Sequence, residues 1–274
     1  MSNAVEMHNP KSMIIEVENL SFSYIKSGPL VIDGLSAVFG PGRLNIIIGP
    51  NGSGKSTLAR IAIGYLRNYN GTVKLNGDDI RHLTVLETAR RVAFVPQENP
   101  ISAPLTVREA VELGRFCQLA GGVYPSKEDK DVVEWAIELT GVRELIEKRV
   151  DNISGGEKQR VMIARVLAQG AGNLVLDEPT ANLDLKYQPL IFDLLRRLVE
   201  KEGYNVTAIT HDVNLASRYA DMVFLLKAGK IFARGLPGEV VNLGILESAY
   251  ETKLKIVGGS FFIPLGAGIE GGGS

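Results

Sequence analysis

The run Gly49-Pro50-Asn51-Gly52-Ser53-Gly54-Lys55-Ser56-Thr57 constrains the fold of this chain more than any other segment. It follows the apolar stretch Leu44 to Ile48, which reads as a buried strand, and it opens a helical pattern carrying Leu58, Ile61, Ala62 and Tyr65. Strand, glycine-rich turn and helix in that order make a cradle for phosphate. Glycine lets successive backbone N–H groups converge on anionic oxygens, and the helix N-terminus adds its dipole. Lys55 then supplies a point charge at the β- and γ-phosphates, and the Ser56 hydroxyl can ligate Mg²⁺. Stripped of its flanks the same run would be an ordinary glycine-rich turn; with them it predicts a nucleoside triphosphate site over Gly49 to Thr57.

Such a cradle needs a parallel sheet beneath it, and the chain supplies the strands. Val92 to Val95, Leu174 to Leu176 and Val206 to Thr210 are short β-rich apolar runs alternating with amphipathic helical patterns, an α/β layout. Ahead of them, Ile14 to Tyr24 reads as strand with turns, and Asn70-Gly71, Thr72 to Leu75 and Asn76-Gly77 read as a small antiparallel piece. Between Pro104 and Asn152 the period turns helical, through Val107, Val111 and Leu113, then Val132, Trp135, Ala136 and Leu139. Beyond His211 we expect a helix to about Tyr219 and a hairpin of Met222 to Leu226 with Lys230 to Ala233 around Ala228-Gly229, and the glycine-rich end Gly266 to Ser274 reads as flexible. No internal repeat is visible, so one motor core per chain is expected.

Composition removes several classes. With 274 residues, 45% of them hydrophobic, the chain can bury a sizeable core without staples. Cys117 is the single cysteine, so no intrachain disulfide is available, and Met1 to Ser12 lacks the apolar run of a secretory signal; a reducing cytoplasm is the expected setting. No segment approaches the roughly 18 uninterrupted apolar residues of a membrane-spanning helix. A net charge of −1 speaks against broad binding to nucleic acid or anionic lipid. Cys117 and Trp135 lie in helical patterns and read as packing residues.

Leu174-Val175-Leu176-Asp177-Glu178-Pro179-Thr180 ends an apolar strand in two carboxylates, at the sheet edge where α/β folds place ligands. Asp177 there can hold Mg²⁺, and Glu178 can orient or deprotonate an attacking water; the plain alternative is a solvated acidic turn. In Ile153-Ser154-Gly155-Gly156-Glu157, Ser154 and Glu157 have the spacing of a capping box, and a helix follows through Val161, Met162, Ala164, Arg165, Val166 and Leu167. Locally that is only a helix start. A serine and two glycines at a helix N-terminus are also an anion site, the second in a chain whose nucleotide needs one, so it can face the γ-phosphate held by another copy.

In this constellation the chain resembles the ABC-family ATPases, from Ile14 to about Val257, with Ile153 to Glu157 matching the family signature except for Ile in place of Leu at its start. The resemblance implies an α/β fold: a P-loop NTPase (RecA-like) core over 14–98 and 153–257, an N-terminal antiparallel β subdomain, and an inserted α-helical subdomain over about 99–152, with tails at 1–13 and 258–274. It implies ATP hydrolysis with Mg²⁺, in a homodimer that sandwiches two ATP molecules so that Ser154, Gly155, Gly156 and Glu157 of one chain complete the phosphate site of the other. Gln97, which alone would be a polar strand end, matches the glutamine that senses Mg²⁺ and water. His211, otherwise a structural histidine, matches the switch histidine at the γ-phosphate. Ala181-Asn182-Leu183-Asp184 matches the loop that touches the opposite subunit, and Tyr24 resembles the aromatic that stacks on adenine, though an aromatic closing an edge strand also serves packing. Separate permease subunits and a substrate-binding protein are implied, with the ATPase on the cytoplasmic face of the membrane and no nucleic-acid partner. Val111 to Arg115, Ala181 to Gln188 and His211 to Asp221 look like the ATPases of iron-siderophore, haem and vitamin B12 importers. Molybdate-type importers, exporters and soluble ABC ATPases acting on nucleic acid stay open, and a nucleotide kinase would share only the phosphate loop.

Overall fold

The computed structural model describes residues 13–97, 104–119, 124–181, 183–258 and 261–265. Asn182, the first residues of the helical stretch, residues 1–12 and the glycine-rich end 266–274 therefore lie outside the described residues. Along the chain, β1 (Ile15–Phe22) pairs antiparallel with β2 (Ile32–Phe39), β3 (Leu44–Ile48) leads into α1 (Lys55–Ala62), and β4 (Asn70–Leu75) returns to β1 and pairs with β5 (Asp78–Asp79). Next come α2 (Val85–Ala89), β6 (Val92–Val95), α3 (Val107–Glu112), α4 (Lys127–Thr140), α5 (Gly155–Gln169) and β7 (Asn173–Asp177). The chain continues through α6 (Tyr187–Glu202), β8 (Asn205–Ile209), α7 (Val213–Tyr219), β9 (Met222–Lys227), β10 (Lys230–Gly235), α8 (Pro237–Val240), α9 (Leu243–Tyr250), β11 (Leu254–Val257) and β12 (Phe261–Pro264).

β3, β7 and β8 are buried at every residue, which is how strands covered on both faces read. They sit inside a six-stranded sheet of order β10-β9-β3-β8-β7-β6, parallel from β6 to β9 and closed at one edge by antiparallel β10. The antiparallel sheet β2-β1-β4-β5 packs over α1 and one face of this sheet, with Phe39 against Phe224 at a ring separation of 4.7 Å. The other face is covered by α5, α6 and α7. This is the expected α/β fold with an antiparallel front sheet, and helices are inserted between β6 and β7. Within the insertion, Arg115 makes a nearly buried 2.7 Å ion pair with Asp129 and donates to Ala168 O at 2.9 Å, tying α4 to α5. Among the described residues no helix is long and apolar enough to cross a membrane.

Three buried asparagines lie across the starts of the central strands. Asn45 Nδ2 donates to Asn205 Oδ1 at 2.9 Å, Asn205 Nδ2 to Asn173 Oδ1 at 2.7 Å, and Asn173 Nδ2 to Arg91 O at 3.1 Å. Although Asn45 Oδ1 itself finds no partner, the bonded amides tie the starts of β3, β8 and β7 together, at the edge opposite the phosphate loop.

Two elements depart from the sequence reading. β2 was not anticipated, because Gly34 and Ser36 interrupt its apolar pattern. Ordered structure also continues past Val257, where a tail was expected: β12 pairs with β11 and anchors itself through Phe262, which is 8% exposed. Substituting Asn205→Ala strands the side-chain carbonyl of Asn173 in the interior, while Asn45 Nδ2 keeps Val206 O at 3.3 Å as an acceptor. For one orphaned group the unfolding free energy should fall by about 1–3 kcal/mol, read from the midpoint of urea denaturation.

Candidate functional site

Because β3, β7 and β8 run parallel, the segments that follow them meet at one edge of the sheet. After β3 the chain turns at Gly49 with φ of +148°, and a Cβ there would lie 2.1 Å from Leu226 O. Gly54, in the left-handed region at φ +99°, starts α1, and a Cβ on it would come within 2.8 Å of Val31 O. Glycine is required at both places by backbone crowding. α1 has no side-chain cap and no acid in its first turn, whereas α2, α3, α4 and α5 each begin with a complete capping box. Its first N–H groups are thus left for an anion.

Lys55 is 5% exposed, and its ammonium donates to Gly49 O at 2.8 Å and Pro50 O at 3.0 Å. Burial lowers its pKa, an effect opposed by the charges of Glu178 and Asp177. Asp177 is 3% exposed and accepts from Ser56 Oγ at 3.1 Å. Burial raises its carboxyl above the ordinary range; the Ser56 hydrogen bond opposes this and the neighbouring Glu178 charge adds to it. A carboxylate held against its desolvation favours a cation beside it. The Ser56 hydroxyl and Asp177 carboxylate fit Mg²⁺, an ion that takes one or two protein oxygens and leaves its other positions to phosphate and water. No cluster of three or more His, Cys, Asp or Glu among the described residues offers an all-protein cage.

Glu178 sits in the left-handed region at φ +51°, a cost of about 1–3 kcal/mol for a residue with a side chain. The twist after Asp177 sends the two adjacent carboxylates to different partners. Glu178 Oε1 lies 2.5 Å from His211 Nε2, and Glu178 Oε2 accepts from Gln97 Nε2 at 2.9 Å. Asn51, Gly52, Ser53, Gly54, Lys55, Ser56 and Thr57 line one cleft with Val31, Glu178 and His211; Pro50, Asn51, Gln97, Glu178, His211 and Tyr250 line the adjoining one. Tyr24 stands beside this region, half exposed, its hydroxyl 3.1 Å from Thr57 Oγ1 and its ring edge-on to Phe22.

The segment Ser154 to Glu157 is not brought to these clefts within the chain and lines neither. Ser154 is exposed, and its backbone N–H and Oγ donate to Glu157 Oε2 at 2.7 and 2.6 Å, so the helix tip holds its own carboxylate where an incoming anion would sit. Glu157 is accordingly held below the usual carboxylate range by the Ser154 side chain and backbone. A Cβ on Gly156 would lie 3.0 Å from the Tyr187 ring, so a larger residue there asks that ring to give by a few tenths of an ångström. Sequence reasoning missed Tyr250 and Val31, which reach the clefts only through tertiary packing.

The family model described as ABC transporter matches residues 32–181. The iron(3+)-hydroxamate import ATP-binding protein FhuC of Bacillus subtilis (strain 168) is 35% identical over 243 residues, covering 89% of this chain and 90% of that protein. Ferric enterobactin transport ATP-binding protein FepC of Escherichia coli (strain K12) is 37% identical over 254 residues, covering 91% and 93%. Among solved structures, a metal-chelate-type ABC transporter in an inward-facing conformation gives a TM-score of 0.78 at 26% identity, over 92% of this chain and 98% of that one. A dimeric post-hydrolysis state of the ATP-binding cassette MJ0796 with ADP and Pi gives 0.73 at 26% identity, over 81% and 98%.

Gly49→Ala forces a methyl group onto Leu226 O, so the loop must shift away from β9. The variant should bind ATP at least about tenfold more weakly, a loss of about 1.4 kcal/mol or more, in a nucleotide titration.

Proposed function

Since the chain belongs to the ABC transporter family, whose ATP-binding subunits hydrolyse ATP, we propose that it is the motor subunit of an importer for iron chelates or cobalamin. The cargo class rests on the relatives, which include, beside the siderophore subunits, a cobalamin import ATP-binding protein of Halobacterium salinarum. It is 37% identical over 84% of this chain and 57% of its own length. The observation that carries the chemistry is the contact of Glu178 with both His211 and Gln97 at the mouth of the loop.

In this reading ATP lies along Gly49 to Thr57 with its β-phosphate on the free amides of α1, and Lys55 exchanges its bonds to Gly49 O and Pro50 O for phosphate oxygens. Tyr24, beside Thr57, meets the adenine ring. Mg²⁺, held by Ser56 and Asp177 with Gln97 next to it, would neutralise charge on the terminal phosphates. Phosphoryl transfer to water asks mainly for placement and charge balance. Glu178 takes the proton of the attacking water or aims it, Gln97 and His211 hold the Glu178 carboxylate in place, and His211 contacts the terminal phosphate.

One chain does not complete this site. Ser154, Gly155, Gly156 and Glu157 form an exposed helix tip, and in a head-to-tail homodimer the partner's terminal phosphate displaces the Glu157 carboxylate from Ser154. ATP then closes the pair, and loss of the phosphate contacts reopens it. We assign 14–98 and 153–257 to the nucleotide-binding core and about 99–152 to a helical subdomain that meets the permease. Supporting the permease contact is a groove lined by Tyr65, Val85, Phe94 and Gln169, with Tyr65, Val85 and nearby Phe116 each at least 71% exposed. Apolar side chains grouped this way fit an integral-membrane partner that holds the subunit peripherally at the cytoplasmic face. A substrate-binding protein acts through that permease.

Glu178→Gln should lower ATP turnover by about 10²–10⁴-fold, the range for losing a general base, while ATP still binds and stabilises the dimer. Parent-like turnover with no ATP-dependent dimer in size-exclusion chromatography would sink the assignment. Reconstituted with its permease, the chain should hydrolyse ATP faster when a siderophore- or cobalamin-loaded binding protein is added. Stimulation by molybdate-loaded protein, or by DNA or ribosomes without a permease, would redirect the cargo or overturn transport.

A further inference from the structure

The C-terminal elements reach the hydrolytic cleft from two directions. Tyr250, the last residue of α9, shares the lining of that cleft with Pro50, Asn51, Gln97, Glu178 and His211. Its hydroxyl is buried and has no hydrogen-bond partner in the protein; the Gly49 amide faces it outside bonding geometry. Burial pushes the phenol up to about 12, so it is a neutral donor at physiological pH. α9 is clamped beside the loop by Lys227, which donates to Ser248 O at 2.8 Å and pairs with Glu251 at 2.7 Å. Lys227 directly follows Leu226, whose carbonyl crowds Gly49.

The second contact is on the histidine side. Asn214 Nδ2 donates to Phe262 O at 3.3 Å and Phe262 N donates to Asn214 Oδ1 at 2.8 Å, so β12 holds the start of α7 by a two-way amide pair. Asn214 lies in the first turn that Asp212 caps, with Asp212 Oδ1 accepting from Asn214 N at 2.8 Å, and His211 is the preceding residue. Leu254 N donates to Glu247 Oε1 at 2.9 Å and joins the hairpin to α9. A two-stranded hairpin is marginal by itself, so β11–β12 takes its position from these contacts, and the segment bridges the loop's first glycine and the histidine turn.

We propose that α9 and the β11–β12 hairpin form a brace that sets His211 against the first turn of the phosphate loop, with Tyr250 and Asn214 as positioning residues. The inference rests on the reading of Glu178 and His211 given above. The Tyr250 hydroxyl, which bonds nothing in the protein, is left to orient an oxygen entering beside Gly49, and the clasp holds the turn behind His211; both act on the terminal-phosphate end of the site, whereas the amides of α1, which hold the β-phosphate, lie outside the brace. Loss of the brace therefore slows hydrolysis without weakening ADP binding.

The test uses the full chain with Tyr250→Phe, which keeps the ring and removes the hydroxyl, and Asn214→Ala, which removes both bonds to Phe262. Each should lower kcat for ATP about fivefold or more, with the Kd for ADP within about twofold of the parent, and the double variant should fall well short of the product of the two losses. Turnover within about twofold of the parent in Tyr250→Phe, or ADP affinity falling in step with kcat, overturns the brace. Turnover surviving in Glu178→Gln measured alongside overturns the site reading itself, a result distinct from either of these.

Discussion

A buried ammonium is what the site is arranged around. Lys55 is withdrawn from water in the turn after a parallel strand, and burial lowers its pKa. Glu178 and Asp177 at the end of β7 oppose that shift by their charge, while the ammonium itself is held by the carbonyls of Gly49 and Pro50. The balance leaves Asp177 short of a cation and Lys55 on neutral acceptors, so Lys55 gains when a polyphosphate arrives and Asp177 gains from any cation that comes with it. Strand order, glycine positions and the left-handed turn at Glu178 all serve to bring these charges close while keeping them from cancelling one another.

The helix starts divide into two kinds. α1 begins on a bare glycine and offers unclaimed amides, while α5 begins on a serine already occupied by its own glutamate. Both are anion-seeking in electrostatic terms, but only the first is open in a single chain. A ligand for α5 must compete with a covalently attached carboxylate, so a weak or diffuse anion is rejected and a triphosphate presented by a closing partner has the advantage. In the proposed dimer this accounts for a reactive centre divided between surfaces that do not meet inside one molecule.

How much was legible from sequence follows from how local each feature is. The phosphate loop, the Asp177-Glu178 pair and the Ser154 to Glu157 cap each need a few neighbouring residues in a fixed conformation, and their spacing wrote that conformation into the chain. Gln97 and His211 were visible only through likeness to a family, since a lone glutamine or histidine at a strand end carries no local instruction. Tyr250 was invisible: it stands about two hundred residues from the loop and joins it only because α9 folds back beside β9. The asparagines at the starts of β3, β7 and β8 resemble turn residues in a linear reading; the register sets Asn173 beside Asn205, while Asn45, opposite Thr207, reaches Asn205 only through its side chain.

That amide row has a mechanical meaning. Parallel strands joined only by backbone bonds can slip lengthwise under load, and slippage would absorb small displacements made at the nucleotide. Cross-linking the far ends of the three middle strands closes off that soft mode. A displacement at the nucleotide rim is then shared by all three strands, because their opposite ends are tied by the amide row.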